Sequence, residues 1–191
     1  MLYENRLVYN PCWMKPNPHP IQKELERWIE NFLDKPHPLL DGWAPCPFAR
    51  QAQMQNKIKW VIHESPSWEK AATEIRQETE AFQAECYDIT VVCCSTLFPL
   101  EKTKIFVEQL RMEFLTRNTY LLMDHPLESE VVNAVRFNQG KYLLFLIQPL
   151  NKLVEKSNQL RLSGYYKAWP ETYFDEVVTE REKYLKLEKE T

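Results

Sequence analysis

Residues 58–94 read IKWVIHESPSWEKAATEIRQETEAFQAECYDITVVCC. The stretch opens and closes on short apolar runs, Ile58 to Glu64 and Ile89 to Cys94. Trp60, Val61 and Ile62 are of the type that suits a pleated surface, and the second run is apolar enough to be covered on both sides. Between them, Ser65-Pro66-Ser67 supplies helix-start chemistry, since proline is tolerated in the first turn and serine can cap. Trp68, Ala71, Ala72, Ile75, Thr79 and Phe82 then recur at helical spacing. Strand, amphipathic helix, strand is the building unit of a parallel sheet.

The same alternation continues outward. Pro99 opens a helix with Phe106, Leu110 and Phe114 along one side, Tyr120 to Met123 reads as a third strand, and Tyr142 to Ile147 as a fourth. Val131 to Phe137 reads either as a helix after Pro126 or as a strand; the hairpin with Tyr142 to Ile147 is favoured, because Gly140 stands where such a turn wants positive φ. Leu150, Leu153, Val154 and Leu160 predict a helix after Pro149. Pro170 opens a last one, with Phe174, Val177, Val178, Arg181 and Leu185 on one side and a charged, solvated end over Glu180 to Glu190. At the other terminus Pro11, Pro16, Pro18, Pro20, Pro36, Pro38, Pro45 and Pro47 make a proline-rich arm. It is interrupted by one helix, on which Ile21, Leu25, Trp28, Ile29 and Phe32 form an apolar stripe. The expectation is a single α/β domain over 1–191, with a mostly parallel or mixed sheet of four to five strands covered by helices. Its parts are the arm (1–50), the sheet and helix core (51–165) and a C-terminal helix (166–191).

Composition narrows the function. A formal charge of -3 gives no basic face for nucleic acid, and no apolar stretch approaches the roughly 20 residues that span a bilayer. Glu4, Asn5 and Arg6 break any signal-peptide pattern at the N-terminus, so a cytoplasmic location is expected. Five cysteines, two of them adjacent, make a poor disulfide framework and suit a reducing compartment. Only Gly42, Gly140 and Gly164 occur, so neither the P-loop nor the dinucleotide fingerprint is present. G-x-S-x-G and H-E-x-x-H are absent as well, and nothing indicates a particular cofactor.

Candidate chemistry therefore rests on position. In open α/β sheets ligands gather at the carboxyl ends of the strands, which here are His63-Glu64, Cys94-Ser95-Thr96, Asp124-His125 and Gln148. A second candidate is the loop Cys46-Pro47-Phe48-Ala49-Arg50. Pro45 and Pro47 fix the direction of the Cys46 thiol, and Arg50 can place a positive charge beside it, which would favour the thiolate. Against this, a lone cysteine is commonly a small buried hydrophobe. His19 and His37 read as turn residues, and apolar context puts at least one of Cys93 and Cys94 in the core. Cys46, His63, Asp124 and His125 are all competent metal ligands but lack local ligand spacing, so no metal site is assigned.

Trp28, Cys46-Pro47-Phe48-Ala49, the strand start Lys57-Ile58-Lys59 and His125-Pro126 together resemble a family of uncharacterised bacterial proteins known as a domain of unknown function. That family carries a tryptophan on a helix, then Leu-Cys-Pro-Phe-Ala, a strand with a basic start, and a later His-Pro. Here Pro45 stands in place of the leucine, and Pro36 to Gly42 lengthens the spacing. The resemblance implies a fold and candidate positions and brings no reaction.

Two functions stay open. One is a cytosolic enzyme acting on a small molecule, with Cys46 as nucleophile, redox thiol or metal ligand and His125 as acid/base in the same pocket. Arg50, His63 and Asp124 would then bind substrate. The other is a non-catalytic binding or assembly module, whose surfaces for a partner or a second copy would be Trp13, Trp28 and Trp43 of the arm or Tyr165, Tyr166 and Trp169 of the C-terminal helix.

Overall fold

A computed structural model describes residues 17–128 and 130–190, the side chain of Glu190 excepted. Trp13, Cys12 and the first prolines of the arm lie outside these residues. Four strands form one sheet: β1 (Ile58–His63), β2 (Ile89–Cys94), β3 (Thr119–Asp124) and β6 (Leu143–Pro149). Their order is β1-β2-β6-β3, with β1 and β2 parallel and β6 antiparallel to both β2 and β3. The sheet is thus mixed, and the chain is an α/β protein.

The central run 58–94 folds as its pattern predicts. Ser67 caps α3 (Trp68–Glu80), its hydroxyl accepting from the Lys70 N–H. Ala71 and Ile75 of α3 are buried with Phe106, Val107, Leu110 and Phe114 around α4 (Leu100–Glu113), against Val92, Leu121 and Phe145 of the sheet. Both crossover helices therefore cover the same face, as right-handed connections require when successive strands are added in one direction. On the opposite face α1 (Pro20–Trp28) lays Ile21, Leu25 and Trp28 over Val91, Cys93 and Leu144. Trp28 is half-buried there and stacks on Phe32. His19 caps α1 and His37 caps a 3₁₀ turn (Pro38–Leu40), each Nδ1 accepting a backbone N–H two residues on, and α2 (Ala49–Met54) follows the cysteine loop.

Residues 131–136 do not pair with β6. Val131–Val132 (β4) and Val135–Arg136 (β5) form their own two-stranded ribbon. The turn between them places Asn133 and Ala134 at φ 48° and 65°, the doubly left-handed geometry that suits the twist of a tight hairpin. The reason is competition for β6. Its Leu143, Leu144, Phe145 and Ile147 are all buried, and a strand covered on both faces belongs between two others. Gly140 does take positive φ, at the bend leading into β6.

The C-terminal region also departs from expectation. Tyr165–Ala168 is a 3₁₀ turn after α5 (Leu150–Ser163), and the last helix starts at Glu171. It runs as α6 (Glu171–Phe174), a π-helical turn Asp175–Thr179 and α7 (Glu180–Glu190). Its charged end is not simply solvated. Tyr184 is buried and Leu185 packs beside it against Tyr120, Leu150 and Val154. Among the described residues, no helix is long and apolar enough to cross a membrane.

Phe145 is fully buried at the centre of this arrangement, paired in register with Val92 on one side and Met123 on the other. Phe145→Ala should cost about 3–5 kcal/mol in chemical denaturation. Leu162→Ala, at 90% exposed, should change stability by no more than about 0.5 kcal/mol.

Candidate functional site

Because β1, β2 and β3 are parallel, His63, Cys94 and Asp124 do end at one edge of the sheet. Gln148 does not: β6 runs the other way, and Gln148 pairs with Tyr120 near the opposite edge. His63 and Asp124 stand on the two outer strands and face opposite ways. His63 Nδ1 bonds Glu74 on α3, whereas Asp124 lies beside Leu144 on the α1 face and accepts the Gln139 N–H at 3.0 Å. They cannot share one small ligand. Each nevertheless keeps a buried polar atom without a partner among the described residues, His63 Nε2 and Asp124 Oδ1. Cys93 and Cys94 are buried in the sheet, and burial pushes both thiols up to about 12.

Cys46 sits in a loop clamped at both sides. Its N–H donates to the Leu33 carbonyl, and Tyr165 donates its hydroxyl to the Pro45 carbonyl at 2.6 Å. The thiol receives the backbone N–H groups of Phe48 and Ala49 and lies near Lys156 and Arg181, all of which favour the thiolate. Burial outweighs them, and the thiol is held above its ordinary range. Arg50 does not supply the expected charge; it is turned to Glu30 at 2.6 Å and to Gln53.

His125 is fully buried, with both ring nitrogens engaged. Nδ1 accepts the Leu127 N–H at 3.1 Å, which leaves the proton on Nε2, donated to the Phe98 carbonyl at 2.9 Å. The Asn138 side chain donates to the His125 carbonyl at 3.1 Å. His125 thus ties three loops together. No hydrogen bond or ion pair among the described residues joins it to Cys46, and their bonding partners come from different elements. Nor does any group of three His, Cys, Asp or Glu side chains among the described residues converge as metal ligands would.

Trp43 of the arm faces the aromatics of residues 165–173. Trp43 meets Tyr165 edge-on at 5.7 Å, Tyr166 meets Trp169 at 4.8 Å, and Trp169 leans on Tyr173 and Phe137. This satellite core joins the loop before Cys46, the β4–β5 ribbon and the start of α6.

A groove of about 1050 Å³ lies between α4 and the α6–α7 helix, floored by Leu122 and Met123. Such volume is at the upper end of small-ligand sites. The groove follows the free edge of β3. Leu150 N–H bonds the Asn118 carbonyl, so residues 118, 120, 122 and 124 turn their backbone groups to β6, and 119, 121 and 123 turn theirs outward. Arg111 Nε takes the outward Leu121 carbonyl at 2.8 Å, and its guanidinium reaches Glu180 at 3.5 Å, clasping α4 to α7 across the edge. Met123 lies beyond this clasp, and its outward N–H and C=O have no partner among the described residues.

The groove's charge is mostly acidic. Lys104 is paired with Glu128 at 2.7 Å and Arg111 with Glu108 and Glu180, while Glu130 and Glu176 have no ion-pair partner among the described residues. Burial, with Asp124 and Glu128 nearby, raises Glu130 to about 8; Asp124 is raised to about 6. The wall opposite α4 is the π-helical turn carrying Glu176 and Val177, a local geometry frequent at functional sites. Ile105 and Met112, 60% and 55% exposed, stand on the α4 side. Their seven-residue spacing marks a second apolar stripe on α4 beside the core-facing Phe106–Leu110–Phe114 row. That was the available sequence signal for the groove.

Cys46 should alkylate with iodoacetamide at neutral pH more slowly than free cysteine, because its thiol is held protonated. Peptide mass mapping of a time course reads this directly, and preferential rapid labelling of Cys46 would mean an activated thiol.

Comparisons with family models, with curated proteins and with solved structures find nothing that matches this chain.

Proposed function

We propose that this chain is a cytoplasmic binding module whose working surface is the groove between α4 and the α6–α7 helix, and that the groove takes a cationic, partly apolar ligand. The observation that supports this most is the pairing pattern. Both groove cations already have carboxylate partners, whereas Glu130 and Glu176 have no ion-pair partner among the described residues. Exposed apolar side chains beside unpartnered acids suit a ligand with a positive group on a hydrocarbon frame. Cys46, Cys93 and Cys94 are free thiols, which suits a reducing compartment. Of the second surface expected of an assembly module, Trp28 and Trp43 of the arm and Tyr165 and Trp169 pack within the chain.

Glu130 gives this reading a pH signature. In the empty groove burial keeps its proton on near neutrality. A cation seated beside it favours the ionised form, so binding releases a proton. Affinity therefore rises as pH increases toward about 8, where the free groove itself ionises, and levels off above. The neighbouring groups are Asp124, Glu128 and Tyr173, which interact electrostatically with Glu130.

The test is titration with a capped lysine–leucine–lysine peptide, followed by backbone NMR. Shifts should map to α4, β3 and the π-helical turn, and binding should tighten between pH 6 and 8. Glu130→Gln should weaken binding roughly tenfold at pH 8, the scale of a charge-assisted hydrogen bond, and abolish the pH dependence. Equal binding of a glutamate–leucine–glutamate peptide, or shifts confined to other surfaces, would overturn the reading.

A further inference from the structure

We propose that the natural occupant of this groove is an extended segment of another protein, alternating basic and apolar residues, which adds to the free edge of β3 as a short antiparallel strand opposite Met123. This rests on the groove being the binding surface and adds the form of its occupant.

Three observations lead to an extended peptide. First, Met123 presents both an N–H and a C=O outward with no partner among the described residues. A peptide residue placed opposite in antiparallel register satisfies both at once, the recognition mode of strand addition. Second, the clasp between Arg111 and Glu180 closes the edge at Leu121. Added pairing is thereby limited to the Met123 end, and the segment must be short. Third, the two sides of that edge differ in chemistry. Met123 packs with the α4 face and Leu122 with the α7 face. Side chains of a strand alternate between faces. The peptide residue opposite Met123 points its side chain to the α4 side, where Ile105 and Met112 are exposed, and favours an apolar group. Its two neighbours point to the α6–α7 side, where Glu176 has no ion-pair partner among the described residues, and favour lysine or arginine.

Charge decides between this occupant and a second copy of the chain. Pairing β3 with β3 across a two-fold axis would bring together two grooves in each of which Glu108, Glu128, Glu176 and Glu180 outnumber Lys104 and Arg111. Like charges so opposed are unfavourable, and a basic partner removes the conflict.

The experiment uses the full chain and three capped pentapeptides of sequence valine–lysine–valine–lysine–valine. One is unmodified, one carries an N-methyl group on the central valine, and one carries it on a neighbouring lysine, whose N–H would face away from β3. Binding is read by titration and by amide hydrogen exchange at Met123. The expected result is that central methylation weakens binding about tenfold relative to methylation of the lysine, the worth of one hydrogen bond, and that the unmodified peptide slows exchange of the Met123 amide. Equal binding of all three at the groove would overturn strand addition while leaving the groove as a cation site. Absence of binding by any of them would overturn both readings, and a concentration-dependent dimer that protects Met123 without peptide would replace the peptide with a second copy. Met123→Pro, which removes an outward N–H without touching the pairing to β6, should reproduce the loss while the far-ultraviolet circular dichroism stays unchanged.

Discussion

The placement of β6 between β2 and β3 is the constraint on which the rest of the structure depends. β2 and β3 are joined by a crossover through α4 and could have been neighbours in a fully parallel sheet. Instead β6 enters antiparallel and pairs with both over nearly its whole length. Its buried Leu143, Leu144, Phe145 and Ile147 supply apolar surface to the two faces of the sheet. The consequence is that β3 becomes an outer strand. Outer strands carry unpaired backbone groups that proteins ordinarily cover or blunt. Here Arg111 covers one carbonyl and the α4 and α7 helices flank the rest, so the edge is narrowed to the neighbourhood of Met123 rather than closed.

Local pattern carried far into this fold and then stopped at a definable point. The helical stripes of α1, α3 and α4 appear in the core as their spacing indicates, down to Trp68 and Phe82 beside Ile75. Ser67 caps where a cap was expected. What local pattern could not supply was the partner of each strand. Leu143–Pro149 looks alike whether it pairs with residue 131 or with residue 94, because register is decided by contacts distant in sequence. The hairpin error follows from this, and so does the misplacement of Gln148. The groove was hidden for the same reason: Ile105 and Met112 form a visible stripe, but only the path of α6–α7 turns that stripe into a wall.

The candidate site shows the same division between position and environment. His63 and Asp124 stand out because they terminate strands, and both carry a buried atom without a partner among the described residues. Sheet order nevertheless sets them on opposite outer strands. At Cys46 the proline-flanked loop is held firmly, as two neighbouring prolines suggest. Its thiol is governed by burial, which no local reading of Arg50 could weigh, since Arg50 is turned toward Glu30. Phe32 and Trp43 of the arm meet Trp169 and Tyr173 in one cluster that fastens the arm to the C-terminal region. Local pattern could not show the contact of Trp43 with Tyr165, which stands more than a hundred positions away.

The account depends most directly on β3 having one edge paired and the other open. Residue-by-residue hydrogen exchange of the native chain, read by NMR, measures this. Amides of β6 should be the slowest, and β3 should alternate, with Tyr120 and Leu122 protected through β6 while Met123 exchanges at least tenfold faster, as expected for an amide without a hydrogen-bond acceptor. Uniform protection along 119–124 would show that edge to be covered, and would contradict both the sheet order and the groove built upon it.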